Sequence, residues 1–351
     1  MSYVADYLGP EGFGSYHVDW NTSPPTFTRV SRPPQVLLVP GFVDIHIHGA
    51  YGIDFMSASR EEMRVLCNRL AEDGYECFLP TTITFSVDRI RQALANLPEH
   101  EMIGGFHLEG PFISPKFPGA QPPSAILDPP IGPSEWDEIF DDPRLKVITM
   151  APERPGALEL ISRLTGRGVI VSMGHTDATF DEARRGFEFG ARHTTHTYNA
   201  MRGLHHREAG TVGYAIANDS VSTELIYDRI HVSREAAGLL VKVKPPERLI
   251  AVSDGTMAAG MPPGQVFEMW GHRVETLKGR VNLAGTDTLA GSAITLLNAF
   301  RNLAEDFGPE VAIRACSLNP RKALKMEGLP RVFLEMDKSY AIVGRRVLSP
   351  V

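Results

Sequence analysis

The chain has 351 residues, of which 43% are apolar, and it carries 35 Lys and Arg against 42 Asp and Glu, for a net charge of −7. This apolar fraction excludes a disordered chain, and an acidic balance without basic blocks argues against a nucleic acid or an anionic membrane as the main partner. The three cysteines are too few and too scattered for a disulfide framework. The sequence shows neither a long apolar run nor a secretion signal, so we expect a cytoplasmic protein without membrane attachment.

Strand-like and helix-like segments alternate regularly along the chain. In the helix predicted over 59–71, apolar residues follow the i, i+3, i+4, i+7 spacing, and Ser59 with Glu62 forms a capping box. Thr179 with Glu182 predicts a second capping box. Strand-like runs cover 36–48, 76–82, 102–108, 145–150, 169–173, 192–196, 222–227 and 249–253, and helical patterns also cover 87–97, 157–165, 180–189 and 234–243.

Eight strands alternating with helices indicate an α/β protein and favour a parallel sheet closed into a (β/α)8 TIM-like barrel. An open, doubly wound sheet is the alternative. The residues before about 36 and the extended run 331–348 do not follow this alternation. We expect these two ends of the chain to pair into a small β appendage.

Histidines and carboxylates stand where the predicted strands end, which is where a parallel barrel carries its catalytic groups. Along the first strand, the two-residue period predicts that Asp44, His46 and His48 share one face. Two imidazoles on one face are well placed to share a metal, although an isolated H-x-H pair is equally often structural.

Three further strand ends strengthen the metal interpretation. Glu109 ends one strand, and His175 and His196 end two others. Imidazole and carboxylate ligands together suit Zn²⁺, Fe²⁺, Co²⁺ or Mn²⁺, and the absence of a nearby cysteine in the sequence argues against a structural zinc site. The pattern therefore predicts a divalent metal site formed by His46, His48, Glu109, His175 and His196.

Asp254 follows the last of these strands and completes the predicted set. A divalent metal activates water and polarises a carbonyl, and a nearby carboxylate can take the proton of the attacking water and return it to the leaving group. The prediction from the residues is therefore metal-assisted hydrolysis with Asp254 as the proton shuttle. Asp254 could equally be a further ligand or a turn residue before Gly255.

A second group of residues indicates an anionic substrate. Asn199 and Ala200 follow the His196 strand, Arg207 lies a few residues later, and His231 comes shortly after the next strand. Arginine and histidine near a barrel mouth can bind a phosphate through charge-assisted hydrogen bonds. Taken alone, Arg207 is more often a solvated surface residue.

These residues lie in seven motifs that occur in family order in the N-acetylglucosamine-6-phosphate deacetylases of the amidohydrolase superfamily. The motifs are PGFVDIHIHG, HLEGPFISPKFPGAQ, SMGHTDAT, THTYNAMRGLHHREAG, ELIYDRIHV, AVSDGTMAAG and TLAGS. The chain therefore resembles this family over most of its length. The resemblance implies hydrolysis of the acetamide of N-acetyl-D-glucosamine 6-phosphate to D-glucosamine 6-phosphate and acetate. It also implies a metal-dependent barrel over 39–325 and a small β domain from 1–38 and 326–351.

Residue by residue, the resemblance implies that Glu109, His175 and His196 hold the metal common to the family, with Asp254 catalytic. His46 and His48 match a pair that members with a second metal possess, so the resemblance implies one or two divalent metals per subunit. Arg207 and His231 are implied to serve the phosphate near the interface of a homodimer. Further residues are implied to line the sugar: Ala120, Gln121, Asn199, Ala200, Leu289, Ala290 and Gly291.

Gln121 departs from the family pattern, because many members have a histidine there that polarises the amide carbonyl. Glutamine can donate a hydrogen bond to the same oxygen but carries no charge. Two alternatives stay open at this point. The substrate could be N-acetylgalactosamine 6-phosphate or another acylated amino sugar, or the chain could be a catalytically inactive sugar-phosphate-binding protein.

Overall fold

The structure is a computed structural model that describes residues 2–277 and 279–348. The strands are β1 (Ser2–Gly9), β2 (Gly12–Asp19), β3 (Thr26–Arg29), β4 (Val36–Pro40), β5 (Phe42–Ile47), β6 (Gly49–Ala50), β7 (Ile53–Asp54), β8 (Tyr75–Pro80), β9 (Phe106–Glu109), β10 (Leu145–Met150), β11 (Ile170–Met173), β12 (His193–Thr194), β13 (Ser222–Ile226), β14 (Leu249–Val252), β15 (Val266–Met269), β16 (His272–Leu277), β17 (Arg280–Leu283), β18 (Leu289–Ser292), β19 (Val332–Met336) and β20 (Ile342–Val347). The helices are α1 (Arg60–Glu72), α2 (Val87–Ala95), α3 (Asp137–Phe140), α4 (Ala157–Gly166), α5 (Phe180–Glu188), α6 (Gly210–Ala217), α7 (Arg234–Val243), α8 (Leu296–Phe307), α9 (Pro309–Ile313) and α10 (Asn319–Ala323). Short 3₁₀ turns cover Pro123–Ala125 and Pro246–Arg248, and a π turn covers Arg314–Leu318.

Parallel strands alternating with helices form the main part of the molecule. Six of them pair in the order β14-β13-β12-β11-β10-β9, and β5 pairs with β8. A parallel bridge between Thr81 and His107 follows β8 and links it to β9, and a second bridge, between Ile47 and Gly255, links β5 to the residues after β14. The strands therefore form a curled parallel sheet, and their carboxyl ends meet on one side.

Helices pack on the outer face of this sheet, as their sequence patterns predict. In α1 the buried residues are Met63, Leu66, Cys67 and Leu70, at the predicted spacing. Both predicted capping boxes are present, with Ser59 accepting from the Glu62 amide and Thr179 accepting from the Glu182 amide. A capped N-terminus satisfies backbone donors that would otherwise be unpaired, and it fixes where each helix starts.

Strands from both ends of the chain meet in one six-stranded sheet of order β20-β19-β4-β1-β2-β3. In this sheet β4 runs parallel to β1 and antiparallel to β19. Aromatic rings fill one face, where Tyr7 stacks on Phe27 with ring centroids 4.7 Å apart. The pairing of the two ends is as expected, whereas the domain limits at 38/39 and 325/326 stay predictions.

Three features differ from the sequence-based expectations. The run predicted over 36–48 is two strands, because β4 and β5 separate at Gly41, where a Cβ would lie only 2.7 Å from the Val332 side chain. The strand predicted over 102–108 starts at Phe106, since Gly105 adopts φ +134° directly before it. A four-stranded antiparallel sheet, β15-β16-β17-β18, follows the last parallel strand and was not predicted.

None of the helices in the described part of the chain combines the length and the apolarity that crossing a bilayer requires.

Candidate metal centre and substrate pocket

The first parallel strand, β5, does not alternate strictly as its sequence predicts. Its pairing with β8 shifts register between Asp44 and Ile47. Asp44 consequently accepts a hydrogen bond from Tyr75, while His46 and His48 both turn toward the carboxyl ends of the other strands. The prediction that Asp44 shares their face is therefore wrong, because a bulge breaks the two-residue period.

Three predicted site residues have a left-handed backbone at the end of their strands. The φ angle is +46° at His175, +30° at His196 and +45° at Asp254. This conformation is unfavourable for residues with a Cβ and persists only where the surrounding structure imposes it. The sharp turn at each strand end lets these three side chains converge, and its occurrence at three predicted positions marks the region as a functional site.

Glu109, His175 and His196 form one compact cluster of buried ligand atoms. The Oε1 atom of Glu109 lies 3.2 Å from Nε2 of His175 and 3.2 Å from Nε2 of His196. The two imidazole nitrogens are 3.1 Å from each other. These three residues come from three different strand ends, so the curled sheet itself brings them together.

His46, His48 and Asp254 form a second cluster. The Nε2 atoms of His46 and His48 are 3.3 Å apart, and Oδ1 of Asp254 lies 3.2 Å from that of His48 and 3.5 Å from that of His46. Asp254 therefore lies at ligand distance from this pair as well as beside the pocket. The sequence left open whether this residue binds metal, moves protons or does both.

Glu109 connects the two clusters. Its Oε1 atom contacts His175 and His196 and also lies 3.3 Å from Nε2 of His46, whereas its Oε2 atom lies 3.3 Å from Nε2 of His48. One carboxylate thus faces all four imidazoles. This is the position that a ligand bridging two cations would occupy.

The hydrogen bonds of three of the four histidines determine which ring nitrogen carries the proton. Nδ1 of His48, His175 and His196 faces the backbone carbonyl oxygens of Thr81, Phe117 and Asn199, at 3.1, 2.9 and 3.2 Å. A carbonyl oxygen only accepts, so each Nδ1 carries the hydrogen and each Nε2 presents a lone pair. Lone pairs that converge within about 3 Å repel one another unless a cation lies between them, and the donor set therefore fits a divalent metal.

The carboxylates make the site favourable for positive charge, which a proton on His48 or a bound cation would supply. Burial lowers the pKa of His48, but Asp254 and Glu109 outweigh it and raise that pKa to about 9. Burial raises the pKa of Asp254, but His46 and His48 outweigh it and lower that pKa to about 2. The carboxylates are thus ionised at neutral pH, as metal ligands and proton acceptors must be.

Gln121 is held on the wall of the site by two hydrogen bonds. Its Oε1 atom accepts from the backbone amide of Thr84 at 2.8 Å, and its Nε2 atom donates to Oε2 of Glu109 at 2.5 Å. The first bond fixes the orientation of the amide, because only its oxygen can accept from a backbone N–H. Gln121 therefore presents its amino group to the cluster.

Most of the predicted site residues line one cavity at the carboxyl ends of the parallel strands. His46 lies beneath the cavity, Ala290 is buried behind its wall, and Arg207 is exposed and contacts His206. The predicted residues on its wall are His48, Glu109, Ala120, Gln121, His175, His196, Asn199, Ala200, His231, Asp254, Leu289 and Gly291.

Sequence reasoning missed several residues that support this site. Trp270 lines the cavity and packs edge-on against His48 with ring centroids 5.2 Å apart, while its indole donates to buried Asp54 at 2.7 Å. Asp228 accepts from His231 at 2.6 Å. The acid three residues before His231 could have been found in the sequence, whereas Trp270 reaches the site from the antiparallel sheet that the sequence did not predict.

Comparison with known proteins supports these observations. The model of the amidohydrolase family matches residues 37–329. The chain belongs to the amidohydrolase family. Among relatives, this amidohydrolase is 40% identical over 292 residues to the N-acetylglucosamine-6-phosphate deacetylase of Bacillus subtilis (strain 168), covering 80% of this chain and 73% of that protein. It is also 36% identical over 316 residues to the N-acetylgalactosamine-6-phosphate deacetylase of Escherichia coli O157:H7, covering 87% and 82%.

Solved structures resemble this amidohydrolase along nearly its whole length. The N-acetylglucosamine-6-phosphate deacetylase of Thermotoga maritima superimposes with a TM-score of 0.87 at 29% identity, covering 97% of this chain and 95% of that one. A mutant of the Mycobacterium smegmatis enzyme in complex with N-acetyl-D-glucosamine-6-phosphate gives the same TM-score and identity, covering 97% and 96%.

Proposed function

We propose that this amidohydrolase hydrolyses the acetamide of N-acetyl-D-glucosamine 6-phosphate to D-glucosamine 6-phosphate and acetate. The observation that carries this proposal is the convergence of four imidazoles, Glu109 and Asp254 on one cavity that also has His231 in its wall. The names of the relatives from Bacillus subtilis and Thermotoga maritima support the same reaction.

The eight parallel strands are proposed to form a complete (β/α)8 barrel with its active site at the carboxyl ends. The bridge from β5 to the residues after β14 supports closure. So does an apolar cluster in which Val43 and Ile45 of β5 pack with Leu79, Ile226 and Ile250 from three other strands. We also propose the division into a barrel over 39–325 and a small domain from 1–38 and 326–351. A cytoplasmic location stays a prediction.

Two groups of residues are proposed to hold divalent metal. Glu109, His175 and His196 would hold one ion, and His46 and His48, with Asp254 beside them, would hold a second. When bound, such a cation polarises the amide carbonyl and acidifies water. The identity of the metal is not determined by ligands of this borderline type, since zinc, iron, cobalt and manganese all accept imidazole and carboxylate.

Asp254 is proposed to move the proton in this reaction. Its carboxylate is ionised at neutral pH, so it can accept a proton as water attacks the carbonyl carbon. The amide C–N bond then breaks, and the proton passes to the departing amine. Gln121 presents its amino group on the same wall and is proposed to donate a hydrogen bond to the carbonyl oxygen as negative charge develops there.

His231 is proposed to bind the phosphate from the cavity wall, with Asp228 holding its imidazole. Arg207 lies outside the cavity of its own chain, on a segment that also exposes Leu204. We therefore propose that Arg207 serves the phosphate of a second copy in a homodimer, where an exposed arginine and an exposed apolar neighbour would both be covered.

Acetate release from metal-loaded protein tests the proposed function. The panel contains N-acetylglucosamine 6-phosphate, N-acetylgalactosamine 6-phosphate and unphosphorylated N-acetylglucosamine. We expect the first to be turned over with the highest kcat/KM. Preference for the galactosamine epimer would assign the activity of the Escherichia coli relative instead. Tight binding of a sugar phosphate without any turnover would contradict the enzyme and support a binding protein.

A further inference from the structure

A buried glutamate outside the predicted ligand set lies directly behind the metal centre. Glu224 is in the middle of β13, and 0% of the residue is exposed. Its backbone carbonyl oxygen accepts from Thr197, and β13 pairs through its backbone with β12 and β14. The sheet therefore does not depend on the carboxylate, and the side chain requires a separate explanation.

One oxygen of this carboxylate contacts both predicted metal clusters. Oε2 of Glu224 lies 3.4 Å from Nδ1 of His46 and 3.3 Å from the backbone nitrogen of His196. Both nitrogens can donate, and the carboxylate accepts. His46 belongs to one cluster and His196 to the other, so a single carboxylate oxygen faces a ligand of each.

Among the described residues, the ion pair of Glu224 is with His46, and the second oxygen, Oε1, has no hydrogen-bond partner. A buried carboxylate without a lysine or arginine beside it costs folding free energy. A positive charge bound nearby would offset that cost. The cation that His46 would hold supplies that charge.

Glu224 also determines the tautomer of His46, the fourth histidine of the centre. Nδ1 of His48, His175 and His196 each faces a backbone carbonyl oxygen, whereas Nδ1 of His46 faces this carboxylate. Accepting the Nδ1 hydrogen leaves Nε2 of His46 with a lone pair directed at His48 and Glu109. The carboxylate acceptor also raises the basicity of the imidazole as a ligand.

We propose that Glu224 is a positioning residue that holds His46 in its metal-binding tautomer and thereby sets the affinity of the His46, His48 and Asp254 site. It acts through His46 and does not touch the substrate. The proposal rests on the metal centre of the proposed function, but it concerns metal affinity and does not depend on which substrate is hydrolysed.

The test is a measurement of metal binding without substrate. Wild type and Glu224→Gln are stripped, titrated with Co²⁺ and followed by visible absorption and calorimetry, and bound metal is counted by elemental analysis after dialysis. We expect two ions in the wild type. In Glu224→Gln we expect an affinity about 10- to 100-fold lower at one site, as is typical when the partner of a ligating histidine is lost. Binding at the Glu109, His175 and His196 site should stay within about threefold of the wild type, because Nδ1 of His175 and of His196 keep their backbone carbonyl acceptors.

Two variants serve as controls. Thr223→Val changes a buried neighbour on the opposite face of the same strand and should leave both affinities unchanged. His48→Ala should lose the same site as Glu224→Gln. If Glu224→Gln does not fold, Glu224→Asp keeps the charge but shortens its reach, and it should weaken the same site.

A second readout follows the tautomer directly. In ¹⁵N-labelled wild type, the side-chain shifts of His46 should show a protonated Nδ1 and an unprotonated Nε2. Unchanged affinity at both sites in Glu224→Gln, a wild type that binds a single ion, or a protonated Nε2 of His46 in the metal-loaded protein would each overturn the proposal. Absent turnover with two ions bound would instead contradict the proposed function and leave this proposal standing.

Discussion

Gln121 donates a hydrogen bond of 2.5 Å to Glu109, the carboxylate that faces all four imidazoles of the centre. Replacing Gln121 with alanine removes both this restraint and a donor on the cavity wall. We expect kcat to fall about 10²- to 10³-fold, the usual cost of losing one donor to a developing oxyanion. Steady-state kinetics of Gln121→Ala beside Gln121→His, which keeps a donor, check this. Equal activity of Gln121→Ala and wild type would contradict the role.

Replacing Asp254 with asparagine keeps the shape of the side chain but removes its ability to accept a proton. We expect kcat to fall about 10²- to 10⁴-fold, the range for general acid–base catalysis. Bound metal at the Glu109, His175 and His196 site should be retained, since Asp254 lies in the other cluster. Elemental analysis beside kinetics separates loss of chemistry from loss of metal. Undiminished turnover would exclude the proton-shuttle role.

His231 should make phosphate binding depend on pH. Burial lowers its pKa, but the hydrogen bond to Asp228 outweighs burial, and the net pKa is raised above its ordinary value. The imidazolium therefore persists to higher pH than usual and loses its charge as the pH rises through this raised pKa. We expect the KM for the phosphorylated substrate to rise about 10- to 100-fold across that interval, as a charge-assisted hydrogen bond is lost.

Asp228→Asn provides the matched variant for this pH dependence. Without the carboxylate, the pKa of His231 falls, so the rise in KM should occur at lower pH. Measurements are kept above about pH 7, where a phosphate monoester is mostly dianionic, and in this range the variant should already show the high KM that the wild type reaches only at higher pH. The unphosphorylated sugar serves as the control and should show no such rise. An identical KM profile for the two sugars would remove the phosphate assignment.

Trp270 and Asp54 are expected to stabilise the cavity wall. Trp270→Phe keeps an aromatic ring beside His48 but removes the indole N–H, so Oδ2 of buried Asp54 loses its partner. We expect the free energy of unfolding to fall by about 1–3 kcal/mol, the cost of one unsatisfied buried acceptor. Urea unfolding measures this change. Met269→Leu, a volume-conserving change at the buried residue before Trp270, should lower the free energy of unfolding by less. An equal loss would indicate general disruption of the turn between β15 and β16.

Arg207 can be tested for action across a subunit interface by combining two different variant chains in one dimer. Arg207→Ala alone should raise the KM for the phosphorylated sugar and leave the unphosphorylated sugar unaffected. Co-expressed Arg207→Ala and Asp254→Asn chains should form mixed dimers in which one pocket combines Asp254 with the partner's Arg207. Random pairing then restores about a quarter of the wild-type sites. If activity on the phosphorylated sugar does not recover at low substrate concentration, Arg207 acts in its own chain's pocket or lies outside the site.

The sequence predicted the parts of this molecule that depend on local patterns. The spacing of Met63, Leu66 and Leu70 indicates an amphipathic helix, and Ser59 fixes its start. Glu109, His175 and His196 were predicted to share one site because each stands at the end of a parallel strand, and the carboxyl ends of parallel strands lie on the same side of the sheet. The side chains of these three residues do lie together in the structure.

Features that depend on contacts between distant segments could not be predicted from local sequence patterns. The register shift in β5 separates Asp44 from His46, although their spacing predicts one face. Glu224 is the one acid in β13, and its position in the sequence gives no signal that its side chain faces His46, 178 residues earlier. Trp270 becomes part of the site only through the fold of β15–β18.

The antiparallel sheet β15–β18 supplies two walls of the cavity, Trp270 beside β15 and Leu289 and Gly291 in β18, whereas the proposed metal ligands come from the ends of parallel strands. Part of the surface that would select the sugar is therefore encoded in a different stretch of the chain from the groups that would carry out bond cleavage. Changes in length or sequence between β15 and β18 could alter which acylated sugar is accepted while the hydrolytic centre stays constant. Substrate range in this scaffold is thus open to change through one contiguous insertion.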